Sequence, residues 1–191
     1  MKSILTITFL LFQFQIHAQP KFENDSNYQP YYLRKIVDSI FKIKVSNDFE
    51  FRYYMRHSSL FGGNASVITI TQNNNQWSSH VYKLTFFPVE QFCEVKQKTN
   101  DLLSLWQMLE KERVLTLPDN SLLKDKNGEI AYSGTKDGTT YTFELTSRLA
   151  RRSYSYYAPY GAIEEYPEIK EFTLVEQIIE LLHKHFELKC N

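Results

Sequence analysis

The strands of this chain first show as alternating apolar and polar positions. Between residues 49 and 56, Phe, Tyr and Met side chains alternate with Glu, Arg and Tyr side chains. This period of two predicts a strand with an apolar face turned inward and its charges, Glu50, Arg52 and Arg56, turned outward. A β-branched stretch and a second alternating stretch complete a first group of three strands, over residues 67–71 and 77–87.

A second group of strands is predicted around two turn signals. Asn127-Gly128 and Asp137-Gly138 are dipeptides that favour tight hairpin turns. The flanking residues then predict three strands, over residues 129–133, 139–146 and 153–157.

Apolar residues spaced three and four apart predict three helices. They cover residues 31–44, residues 101–114 and a C-terminal stretch that begins near residue 174, where Thr173 and Glu176 form a capping box. The order α-βββ-α-βββ-α indicates an α+β fold, with a largely antiparallel sheet of about six strands packed by two or three helices. The two βββα stretches are compatible with a distant internal duplication.

The first eighteen residues have the pattern of a secretory signal peptide. A positive Lys2 precedes an apolar run over residues 4–16, and Ala18 supplies a small residue at the expected cleavage site. The run is shorter than the roughly 20 residues of a membrane-spanning helix, so we expect no membrane span after cleavage. Residues 19–29 are polar and aperiodic, which predicts a mobile leader. We expect residues 30–191 to form a single domain. The expected location is periplasmic or secreted.

Charge and cysteine content bear on the expected partner and on a possible disulfide. Lys and Arg together number 22, as do Asp and Glu, and this balance argues against nucleic acid as the main partner. Two cysteines, Cys93 and Cys190, would remain after export to an oxidising compartment, where they can form a disulfide. The competing interpretation is two unpaired thiols.

One segment, residues 148–160, combines arginines with tyrosines. Such residues can stack on sugars, clamp an anion or contact a protein, and they equally suit a strand whose tyrosines pack on the sheet. The candidate ligand-binding residues are Arg148, Arg151, Arg152, Tyr154, Tyr156, Tyr157 and Tyr160. The partner would be an unknown protein or glycan.

Catalytic chemistry is represented only by Cys93, which His57 or His80 could activate by accepting the thiol proton. No catalytic, cofactor-binding or metal-binding motif accompanies it. His183 and His185 are two residues apart on a predicted helix and so point in different directions. We therefore expect an exported binding or interaction module without cofactor or metal, with a small Cys/His-dependent hydrolase using Cys93 as the alternative.

The leader ending in Ala18-Gln19 and the layout of strands and helices resemble those of uncharacterised exported α+β proteins of Gram-negative-type bacteria. The resemblance implies an export route and a fold class, and it implies neither an activity nor a set of site residues.

Overall fold

Six strands form one antiparallel sheet. The computed structural model describes residues 19–43, 47–57, 63–86, 90–95, 101–131 and 138–187, so the predicted signal peptide and Cys190 lie outside the described residues. The strands are β1 (Phe49–His57), β2 (Asn64–Asn73), β3 (Gln76–Thr85), β4 (Gln91–Val95), β5 (Thr139–Ser147) and β6 (Arg151–Tyr157). Their spatial order is β4-β3-β2-β1-β5-β6, and every neighbouring pair is antiparallel.

Within the described residues, four α-helices accompany the sheet. They are α1 (Tyr32–Ile40), α2 (Leu102–Lys111), α3 (Pro159–Glu165) and α4 (Lys170–His185). The predicted α+β class and the antiparallel sheet are confirmed. The strands divide four and two rather than three and three, which gives no support to a repeated βββα unit. None of the helices in the described ranges is long and apolar enough to cross a membrane.

The strand predicted over residues 129–133 is replaced by a local turn. The Asp125 carboxylate accepts the backbone N–H groups of Asn127 and Glu129 at 2.8 and 2.9 Å. Because these groups are satisfied within the turn, they are not available to a neighbouring strand. Only a single bridge forms, between Lys124 and Ile130, while residues 132 and 133 lie outside the described residues.

The apolar face of β1 builds the main core of the protein. Phe49, Phe51 and Tyr53 are fully buried on this face, as the alternation predicts. They belong to one cluster with residues of α2 and α4, including Leu182, which is also fully buried. The longest helix, α4, therefore helps to close this face of the sheet.

The charged face of β1 is also buried, which corrects the sequence prediction. Glu50 is 2% exposed and Arg52 is fully buried; of the three charged residues predicted to face outward, only Arg56 is exposed. The physical reason is α1, which packs on this face through Leu33 and Val37. The buried charges of Glu50 and Arg52 are tolerated because they pair with each other and with Arg34 and Asp38 of α1.

The polar segment before α1 makes defined contacts with the domain. The Phe22 ring meets Phe49 edge-on, with centroids 6.2 Å apart. The backbone of Arg151 on the edge strand β6 donates to the Asn24 side chain at 2.9 Å and accepts from the Asp25 N–H at 2.8 Å. These contacts show that the segment covers part of an exposed sheet edge, and its mobility stays a prediction.

Candidate functional site

The helix α1 is too small to cover the sheet face on which it lies. Six strands at about 4.8 Å spacing make a sheet roughly 24 Å wide. A helix of nine residues is only about 14 Å long. Two polar depressions are left beside it, one toward β5 and β6 and the other toward β2, β3 and β4.

The larger depression, which we name the cationic groove, has a volume of about 590 Å³. Its lining contains four cationic side chains and one carboxylate, together with hydroxyl and amide groups. The lining residues are Tyr28, Pro30, Arg34, Lys35, Asp38, Asn47, Thr146, Ser147, Arg148 and Arg151.

The rim of the cationic groove is shaped by the turn between β5 and β6. The Ser147 hydroxyl accepts the backbone N–H groups of Leu149 and Ala150 at 3.3 and 3.0 Å, and the Ser147 N–H donates to the Ala150 carbonyl at 2.8 Å. This tight turn brings Arg148 and Arg151 to the same opening. Both side chains therefore project from a connection whose backbone is held by its own hydrogen bonds.

The three cations at the rim differ in how they are paired. Arg148 is 72% exposed and its Nη2 lies 2.5 Å from the Asp48 carboxylate. Lys35 and Arg151 form no ion pair with any residue that the structure describes. Their charges are therefore available to an anionic ligand.

Beneath the groove, the fully buried Glu144 of β5 gathers donors from three parts of the chain. It accepts the backbone N–H of Tyr31 at 2.5 Å, the Tyr54 hydroxyl at 2.8 Å and Arg34 Nη1 at 3.3 Å. Burial, and then the negative charge of Glu144, raise the pKa of Tyr54 well above its usual value. The phenol consequently stays protonated and acts as a donor.

The second half of this buried network centres on Glu50. Arg34 Nη2 and Arg52 Nε both donate to Glu50 Oε1, at 2.5 and 2.9 Å. Arg52 Nη2 also lies 2.7 Å from Asp38 Oδ1, a close ionic contact that lacks hydrogen-bond geometry. Burial is the largest single influence on Arg52 and by itself lowers the pKa, but the combined effects of Glu50, Tyr54 and Asp38 outweigh it and the pKa is raised. Arg34 thus reaches the groove with its guanidinium held by fixed carboxylates.

The smaller depression, which we name the hydroxyl pocket, has a volume of about 320 Å³. The Thr71 and Ser78 hydroxyls are 2.7 Å apart, and His80 Nδ1 is 2.6 Å from a Glu94 carboxylate oxygen. Asn47 lines both depressions. The lining residues are Phe41, Ile43, Asn47, Glu50, Thr69, Thr71, Asn73, Ser78, His80, Tyr82 and Glu94.

Three of the predicted ligand-binding residues lie on the opposite face of β6. Tyr154 and Tyr156 are 1% and 0% exposed and donate to backbone carbonyls, of Val114 at 2.6 Å and of Pro118 at 2.7 Å. Arg152 Nη1 donates to the Leu115 carbonyl at 2.6 Å. Because side chains alternate along a strand, Arg151 faces the groove while these three residues hold the loop after α2.

The remaining predicted ligand-binding residues lie at separate places in the fold. The Tyr157 hydroxyl accepts the backbone N–H of Gly138 at 2.8 Å, and Tyr160 lies on α3 with 39% exposure. Of the whole arginine–tyrosine segment, only Arg148 and Arg151 line the cationic groove.

The groove also contains residues that the sequence did not single out. Arg34, Lys35 and Asp38 lie on the polar face of α1, which by itself predicts a solvated helix surface. A weak signal was present in Arg34-Lys35, the single pair of adjacent cations in the predicted first helix.

Neither of the two histidines proposed as partners of Cys93 lies beside it. Cys93 is exposed on β4, opposite Lys83. His80 projects from the other face of the sheet with Tyr82 and Glu94. His57 is on β1, which two strands separate from β4, and its Nδ1 is 2.8 Å from the Thr139 hydroxyl. The arrangement of these side chains gives no support to the hydrolase alternative. Since Cys190 lies outside the described residues, its pairing with Cys93 stays a prediction.

Comparison with known proteins supplies no assignment for the site. No protein-family model matches the chain, and no curated protein matches it. Within the described ranges, no group of three or more His, Cys, Asp or Glu side chains is placed to hold a metal ion.

Proposed function

We propose that this protein is an exported binding module whose cationic groove holds an anionic group of its ligand. The observation that carries the proposal is the pair Lys35 and Arg151, which line the same cavity and form no ion pair with any described residue. Cations without counter-ions beside a concave polar surface are the usual means of recognising carboxylate, sulfate or phosphate groups.

The size and construction of the groove fit this role. A volume of about 590 Å³ falls within the range of roughly 300–1,000 Å³ that is typical of small-ligand sites. Arg34 enters the groove with its guanidinium already fixed by Glu50 and Glu144. A fixed cation loses less conformational entropy on binding than a flexible one.

Binding is tested by titrating purified protein with phosphate, sulfate and galacturonate while ¹H–¹⁵N NMR shifts are recorded. The variant Lys35→Ala/Arg151→Ala should weaken binding of the best of these anions about tenfold or more. The control variant Lys124→Ala/Lys184→Ala removes the same charge from exposed sites outside the groove and should bind as the wild type does. Absence of binding by all three anions, or equal loss in both variants, would overturn the proposal.

The export part of the proposal is supported by the pattern of residues 1–18. We expect protein recovered from outside the inner membrane to begin at Gln19. N-terminal sequencing after cell fractionation measures this directly, and an intact Met1 in that fraction would contradict it.

A further inference from the structure

We infer that the ligand is an acidic oligosaccharide, with a charged unit in the cationic groove and a neutral, hydroxyl-bearing unit in the hydroxyl pocket. This inference rests on the proposed function of the cationic groove. It adds a second, adjoining subsite of different chemistry and thereby names the ligand class.

The two depressions adjoin at Asn47, which lines both. Its amide group is held in place, because Nδ2 donates to Glu50 Oε2 at 3.1 Å and Oδ1 accepts from Asn73 Nδ2 at 2.7 Å. Glu50 lines the hydroxyl pocket, while Arg34, which donates to Glu50 at 2.5 Å, lines the cationic groove. Asn47 is therefore a fixed polar group that a chain-like ligand would meet from both depressions.

The hydroxyl pocket is polar, and its lining contains no lysine or arginine side chain. Glu50 is paired with Arg34 and Arg52, and the Glu94 carboxylate lies within hydrogen-bond distance of His80 Nδ1. An anionic unit would find no unpaired lysine or arginine there. The pocket therefore suits a neutral partner, in contrast to the cationic groove with its unpaired Lys35.

The polar groups of the pocket are the kind that recognise sugar hydroxyls. Thr71 Oγ1 and Ser78 Oγ, 2.7 Å apart, can each donate and accept, as a sugar hydroxyl does. Asn47 and Asn73 add amide groups. A sugar ring can satisfy several such groups at once because its hydroxyls are arranged around a rigid frame.

One part of the pocket is apolar, as the faces of a sugar ring require. The rings of Phe41 and Tyr82 lie there with centroids 4.4 Å apart. Aromatic side chains supply apolar contact area with little loss of side-chain entropy. The volume of about 320 Å³ is close to the lower end of the small-ligand range, which favours one ring rather than a long segment.

The test is isothermal titration of the full exported chain with galacturonate as the monomer, and with a dimer and a tetramer in which one terminal galacturonate is linked to neutral galactose units. Galactose oligomers of equal length supply neutral controls, and hexaglutamate supplies an acidic peptide. We expect the tetramer to bind about tenfold or more tightly than the monomer, and more tightly than either control ligand.

Variants then separate the two depressions. Thr71→Val/Ser78→Ala should weaken binding of the tetramer about fivefold and leave binding of the monomer unchanged. Thr142→Val/Ser155→Ala is the matched control, because these hydroxyls are also paired across two strands, at 2.9 Å, and line neither depression. His80→Gln provides a second pocket variant should the first fail to fold.

Each outcome bears on a different claim. If galacturonate monomer binds in a manner that depends on Lys35 and Arg151, but length and pocket variants have no effect, the oligosaccharide inference is overturned and the proposed function stands. The oligosaccharide inference is likewise overturned if hexaglutamate binds as tightly as the tetramer. If no anion binds, the proposed function itself fails.

Discussion

Replacing Glu144 by alanine should lower the stability of the protein far more than replacing Glu94 by alanine. The reason is that Glu144 belongs to the buried network under α1. Glu144 is fully buried and accepts from four donors, on Tyr28, Tyr31, Arg34 and Tyr54. Glu144→Ala leaves those four donors without this acceptor and leaves Arg34 with less compensation for its charge. Removing one partner of a buried ion pair costs about 3–5 kcal/mol, because the other charge stays buried. We therefore expect the free energy of unfolding to fall by about 4 kcal/mol.

The matched control is Glu94→Ala, which removes a carboxylate that lies 2.6 Å from His80 Nδ1 at the surface. Glu94 and its partner His80 have side chains that are 48% and 47% exposed. Exposed pairs contribute about 0–1 kcal/mol, so this variant should retain nearly all of its stability.

Urea denaturation followed by tryptophan fluorescence measures both variants. Trp77 and Trp106, the two tryptophans of the chain, stack at 5.5 Å in or against the main core, so their emission reports unfolding of the domain. Linear extrapolation gives the free energy of unfolding in water. If Glu144→Ala and Glu94→Ala differ by less than about 1 kcal/mol, the network does not hold α1 on the sheet and the reasoning is refuted.

Two further predictions concern α4. Leu182 is fully buried in the main core, so Leu182→Ala should lower the free energy of unfolding by about 2–5 kcal/mol in urea melts, whereas a loss below about 1 kcal/mol would show that α4 is peripheral. Burial, with the nearby His57, lowers the pKa of His183 below its usual 6.5. Below about pH 6.5 the unfolded chain therefore binds a proton that the folded chain does not, and stability falls as pH falls until the folded imidazole is also protonated. Urea melts at pH 7.5 and 5.5 should show a smaller drop for His183→Gln than for the wild type, and an equal drop would contradict the assignment.

The sequence predicts the two faces of β1 but not what covers them. Alternation places Phe51 and Arg52 on opposite faces, and the structure confirms this separation. Whether the polar face meets solvent depends on partners distant in sequence. Glu144 lies 110 residues after Arg34, and no local pattern connects them. The outward position expected for Glu50 and Arg52 was wrong for this reason.

The candidate site shows the same limit. Composition drew attention to Arg148 and Arg151, because arginines and tyrosines are concentrated around them. It could not separate them from Tyr154 and Tyr156, whose hydroxyls are used by backbone carbonyls in the core. The groove is assembled from α1, the segment before β1 and the turn after β5, and only tertiary structure brings these together.

Overall neutrality of the chain also conceals how its charges are distributed. In the network below α1, Arg34 and Arg52 face Asp38, Glu50 and Glu144. Two positive and three negative formal charges leave this network with one negative charge in excess. By itself it would repel an anion.

Lys35 and Arg151 reverse that sign at the cationic groove. Arg148 adds nothing to the balance, because Asp48 compensates it. The two unpaired cations turn an excess of one negative charge into an excess of one positive charge.

Removing either Lys35 or Arg151 should leave the groove formally neutral, and removing both should make it negative. Anion affinity should consequently fall in two steps, from wild type to either single variant and then to the double variant. The differences should shrink as ionic strength rises, because about 0.15 M salt screens exposed charges beyond roughly 8 Å. A groove that bound its ligand through hydrogen bonds alone would show neither the second step nor the dependence on salt.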